Sequence, residues 1–185
     1  SSALAAPILC DRSTLTAEML VKIAPTTASC YSAPFPDECH TADQAVAPLT
    51  ASFQKYSLTT PGEQAAVIAL MLFESTSFQY NKNHYPGIPG QGTKNMQSPA
   101  FNQKYAEFLY PDQVQVAAVQ GPAAVLDLVS GVEDTFGSAA WFLTTQCDAS
   151  VKAGLATGLD AGWTAYMACI WTSRSAERDA LWTAA

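Results

Sequence analysis

The chain has 185 residues, 49% hydrophobic and 14% charged, with 16 acidic against 9 basic side chains and a net charge of −7. That is enough apolar material for one globular domain with a sizeable core, while the lack of clustered Lys and Arg argues against nucleic acid, whose phosphates require them. The longest uninterrupted apolar run, residues 65–73, falls far short of the ~18 residues of a membrane span, and no basic segment precedes an apolar one. The expectation is a soluble monomer with no membrane partner, from which any signal peptide has already been removed.

Most of the chain carries helical periodicity. Caps and breakers divide it into about eight helices, with candidate starts near Thr14, Thr41, Thr60, Ser98, Pro111, Gly121, Gly137, Asp148 and Asp160. Strand signals are scarce, so the class is mainly α, in a single domain.

The five cysteines include no C-x-x-C pair and no His at ligand spacing, which argues against structural zinc and predicts no metal. Cys30 and Cys39 bracket a Pro-rich stretch that cannot be a helix interior, and a bridge there would close a short loop worth roughly 3 kcal/mol. Cys147 and Cys169 are the natural second pair, tying two C-terminal helices, and Cys10 is left over. Bridges imply an oxidising compartment and hence a secreted protein. His40 and His84 lie far apart, and H-E-x-x-H, G-x-S-x-G and P-loop patterns are all absent, so zinc proteolysis, serine hydrolysis and nucleotide binding have little support and no cofactor is expected.

Thr60-Pro61-Gly62-Glu63 has the form of a capping box, with Pro61 at the first helical position. Counting forward from it, Val67, Leu70 or Met71, and Glu74 fall on one stripe, which puts a carboxylate at the end of an apolar face. Poor solvation favours the protonated form of a carboxyl group, the form a general acid needs. On that reading Glu74→Gln is inactive yet at least as stable as the parent near neutral pH. The plainer alternative is a helix-end Glu bonded to a backbone group or a lysine.

Residues 78–97, rich in Gly, Pro, Asn and Tyr, read as an ordered loop with a small β-hairpin, and loops of that length in compact domains commonly carry function. Tyr80 and Tyr85, with Asn81, Asn83, Asn95 and Gln97, suit sugar recognition, since rings cover pyranose faces and amides pair with hydroxyl and acetamido groups. Trp141, Phe142, Trp163 and Trp171 read as core residues on amphipathic helices, and His84 as a loop hydrogen-bonder.

Glu74-Ser75, then Phe78, a Gly-containing turn, Met96-Gln97 and a new helix resemble the soluble lytic transglycosylases and goose-type lysozymes. The resemblance spans roughly residues 60–110. Gln97 with Asn102 is also similar to the Gln and Asn that follow the hairpin in plant-type chitinases of lysozyme-like fold. It implies a lysozyme-like α-rich domain in which Glu74 is the catalytic acid, Ser75 supports the site and the segment ending in Met96-Gln97 walls a sugar cleft. A secreted fungal muramidase acting on peptidoglycan or a related N-acetylated glycan fits, with a lytic transglycosylase, a chitinase or a non-catalytic sugar-binding protein as the alternatives. The family pattern has Gly-Leu where this chain has Lys94-Asn95, and its late tyrosine near the cleft has only a faint counterpart in Tyr166. Between Ser75 and Ala106 there is no Asp or Glu, so one acid is expected; Glu63 and Glu107 are the nearest acids in sequence, the first about 16 Å away by helical rise and the second one helix further on, and Glu133, Asp134 or Asp148 are free to approach in space.

Overall fold

A computed structural model describes residues 14–185; Cys10 lies outside them. Among the described residues ten α-helices follow one another: α1 (Ala17–Ile23), α2 (Ala42–Lys55), α3 (Pro61–Glu74), α4 (Pro99–Leu109), α5 (Pro111–Gln120), α6 (Pro122–Leu128), α7 (Val132–Thr145), α8 (Ala149–Ala156), α9 (Asp160–Cys169) and α10 (Ala176–Ala184). Two 3-10 turns, Pro25–Ala28 and Pro36–Glu38, lie between α1 and α2. Thr41 and Thr60 each close a complete capping box, with Gln44 and Glu63 reaching back. Four successive helices, α3 to α6, open on proline, whose missing N–H and fixed φ suit the first helical position.

Helix α3 is the centre of the core. Every residue from Ala66 to Leu72 is buried, so the helix is apolar all round rather than along the one stripe that periodicity predicts. It packs against α7, α8 and α10, while α2 packs on α7 and α8 on α9. The α8–α9 approach depends on glycine: a Cβ at Gly162 would come within 2.4 Å of the Gly154 carbonyl. Cys30–Cys39 and Cys147–Cys169 are both disulfide-bonded. The second bridge joins the segment after α7 to the end of α9.

Several expectations are corrected. Gly137 starts no helix; it lies inside α7, where a Cβ would meet the Tyr105 hydroxyl at 2.9 Å, so glycine there serves close packing. The first helix is capped by Thr16, not Thr14. The expected hairpin is reduced to two isolated antiparallel bridges, Lys82 with Gly92 and Gly92 with Gln97. Trp141, Phe142 and Trp163 are core, but Trp171 lies past the end of α9 at φ +54° and is 73% exposed.

Helix α10 was not anticipated at all, and it completes the site. Its Ser175 cap accepts from the Arg178 amide, and Trp182 stacks on Trp163 of α9 with ring centroids 5.3 Å apart. Asp179 accepts from the Trp163 indole and from Arg174, which also reaches Asp160 at the start of α9. These contacts tie α10 to α9, and the same helix packs against α3.

Candidate functional site

Glu74 is the last residue of α3, where the buried helix reaches the surface. The chain then turns sharply. Thr76, Ser77 and Phe78 all have positive φ, between +52° and +66°, a left-handed run that costs energy for residues with a Cβ and persists only where the surroundings enforce it. Ser75 supplies part of that enforcement: its fully buried hydroxyl donates to the Met71 carbonyl at 2.6 Å and accepts from the Phe78 amide at 3.0 Å. The Phe78 ring is buried against Phe136. Ser75, expected to support the site, is therefore a turn-former whose hydroxyl is out of a ligand's reach.

Two clefts meet at Glu74. The first, of about 290 Å³, runs past Glu74, Asn95, Phe101, Trp171 and Arg178. The second, of about 360 Å³, runs past Glu74, Tyr80, Asn83, His84 and Tyr85. Glu74, Gln91 and Met96 line both, and among the residues of either cleft Glu74 is the single carboxylate. Glu63, Glu107, Glu133, Asp134 and Asp148 line neither. Glu63 caps α3, Glu107 accepts from Gln103 and Asp134 from the Tyr110 hydroxyl.

The setting of Glu74 differs from the apolar rim predicted for it. Arg178 Nη2 donates to Glu74 Oε1 at 2.8 Å, the two side chains being 16% and 23% exposed, and the guanidinium lies 4.0 Å over the Phe73 ring. The partner is a cation on the unanticipated helix. Tyr166, on α9, is completely buried, and its hydroxyl has no partner among the described residues. Burial first, and then the Glu74 charge, push that phenol far up.

The loop residues divide by role. Tyr80 and the 76%-exposed Tyr85 line the second cleft. Met96 sits at the junction with φ +47°. Asn95 and Gln97 border the first cleft, yet their amides are turned inward. Asn95 accepts from the Thr93 and Ser138 hydroxyls, both at 2.8 Å, and donates to Gln97, which donates to Asn102 at 2.8 Å. They build the wall more than they face the ligand.

Behind the wall lies Lys94, wholly inaccessible to solvent, whose ammonium donates to the carbonyls of Glu38, Phe78 and Tyr80. Burial pushes it down to about 7, with the Glu38 charge pulling the other way. The Glu38 carboxylate in turn accepts from the Asn81 and Lys82 amides and meets His84 Nε2 at 2.8 Å. His84 is thus a loop hydrogen-bonder, stacked on Phe35 at 3.5 Å. His40, whose Nδ1–H donates to the Glu38 carbonyl, is pushed down to about 4 by burial and then by Lys94. No group of three or more His, Cys, Asp or Glu among the described residues could hold a metal ion.

The site residues that sequence reasoning missed are Arg178, Trp171, Phe101 and Gln91. Arg178 had a local signal, Ser175 followed by the acidic Glu177 and Asp179 of a helix's first turn. The exposure of Trp171 had none.

This chain is similar to the bifunctional dioxygenase (DOX)-epoxy alcohol synthase (EAS) of Fusarium oxysporum (strain Fo5176), with 40% identity over 146 residues, 75% of this chain. The chain spans about 11% of that protein's length. No protein-family model matches the chain. No solved structure matches it either.

Proposed function

We propose that the chain is a secreted glycoside hydrolase of lysozyme-like fold that cleaves β-1,4 bonds in peptidoglycan or a related N-acetylated glycan. The observation that carries this reading is the position of Glu74, the one carboxylate at the junction of two clefts, where a chain of sugars laid through both would present a glycosidic oxygen to it. Glu74 protonates the leaving oxygen. Phe101 and Trp171, with centroids 5.2 Å apart, offer aromatic faces on one side, and Tyr80 and Tyr85 on the other. With no second carboxylate in the clefts, a water held by polar loop groups or the substrate's own acetamido group completes the displacement. The two disulfides fit an oxidising compartment. The activity named for the Fusarium protein is not carried over, because the shared segment is a small part of it.

The ion pair with Arg178 favours a second reading, a sugar-binding protein without chemistry, since a carboxylate paired to a guanidinium has no proton to give. Product masses from purified peptidoglycan separate the cases. A hydrated reducing end means hydrolysis, a product lighter by one water means transglycosylation, and binding without products sinks the enzyme reading.

A further inference from the structure

Two arginines stand on or beside α10, and they are differently employed. Arg174 has a partner at each of its three guanidinium nitrogens, drawn from both Asp179 oxygens, Asp160 and the Thr164 hydroxyl. The Arg178 guanidinium makes one hydrogen bond, to Glu74, and its Nε has no partner among the described residues. A guanidinium carries five donors in a fixed fork, so this one is under-used. Among the described residues it is also the only cation lining the first cleft, in a chain of net charge −7. Its guanidinium carbon lies 4.0 Å over the Phe73 ring while the side chain borders that cleft.

We propose that Arg178 is the receptor for a carboxylate carried by the sugar in the first cleft, and that this carboxylate takes the guanidinium from Glu74 when it binds. The proposal rests on the glycan reading of the clefts and narrows it to acidic sugars, such as one bearing a lactyl ether. A carboxylate matches the fork and can use the donors left idle in the free protein. The exchange removes the objection raised by the ion pair. Once its cation is taken, the Glu74 carboxyl group is no longer held in the ion pair and is free to turn to the glycosidic oxygen. A neutral N-acetylglucosamine chain leaves the pair intact and Glu74 masked. Arg178 is therefore the residue that couples recognition of the acidic substituent to readiness of the acid.

The test is calorimetric titration with two sugars, the peptide-free N-acetylglucosaminyl-N-acetylmuramic acid disaccharide and the same disaccharide with its carboxyl group reduced to an alcohol. The parent protein is expected to bind the acid form at least about tenfold more tightly than the reduced form. In Arg178→Gln the ratio falls to near one. In Glu74→Gln it rises above that of the parent, because no protein carboxylate has to be displaced; this arm stands even if Arg178→Gln folds poorly. Equal affinities in the parent, or a ratio unchanged in a folded Arg178→Gln, overturn the proposal while leaving the glycan reading in place. Absence of binding to either sugar overturns both.

Discussion

Glu74→Gln separates the chemistry of this site from its mechanics. The substitution keeps the shape of the side chain and removes its charge, leaving the guanidinium of Arg178 at a position only 16% exposed without its counter-ion. Fully exposed pairs contribute ~0–1 kcal/mol, and removing one partner of a fully buried pair costs ~3–5 kcal/mol. This pair lies between those limits, and the glutamine oxygen can still accept one hydrogen bond, so the loss should be about 1–2 kcal/mol. For a chain of this size that is a fall in Tm of about 2–8 °C. The sign is opposite to that expected from an apolar rim. Calorimetric melting at pH 7, repeated in high salt to screen the charge, reads the stability, and lysis of peptidoglycan per folded molecule reads the activity. An unchanged or higher Tm would refute the energetic role given to the ion pair. Full lytic activity in the variant would remove Glu74 from the chemistry.

Asn95→Ala and Gln97→Ala should each lower stability by about 1–3 kcal/mol, because Ser138, Thr93 and Asn102 would lose buried partners; unchanged melting with lost activity would return these amides to the ligand. His40 stays neutral in the fold down to about 4, whereas in the unfolded chain it takes a proton near 6.5, so stability present above 6.5 is lost as pH falls toward 4. Discounted for the partial exposure of the ring, the loss is about 1–2 kcal/mol, and His40→Asn should show a correspondingly smaller drop in Tm between pH 7 and 4.5; equal drops would contradict it. Replacing Cys30 and Cys39 by serine opens a loop closed over a separation of 9 residues, which should cost about 2–3 kcal/mol in denaturant melts. Because that loop carries Glu38, nicking by protease within residues 80–84 should rise as well, and an unaltered cleavage pattern would show that the Glu38 contacts hold without the bridge.

Local chemistry was legible in the sequence. The capping box at Thr60, the helix starts at Thr41, Ser98 and Pro111, and both disulfide pairs follow from short-range rules and occur as read. What escaped depends on residues distant in sequence. The Glu74–Arg178 pair spans 104 positions, and Ser138 reaches Asn95 across 43. A helix buried on all sides, as α3 is, has no polar face from which to judge where its end residue points. Gly137 shows the same limit from the other direction, since a glycine that reads as a break is there for the Tyr105 hydroxyl.

The place where the chain departs from the pattern it resembles is also where its loop is built. At Lys94-Asn95, a Gly-Leu pair would supply neither an ammonium for the three carbonyls nor an amide for Ser138. A buried ammonium is costly unless its donors are matched, and here all three have acceptors drawn from the two segments that must be held together, the stretch after α3 and the turn ending at Glu38. Glu38 answers from the other side, gripping the backbone at Asn81 and Lys82. Between these two grips the loop bearing Tyr80 and Tyr85 is tied to the helical core without regular strands. The Tyr85 ring can then remain exposed, and the Tyr80 ring half-buried, beside Glu74 while the backbone beneath them stays fixed, the division of labour expected of a functional loop on a rigid scaffold.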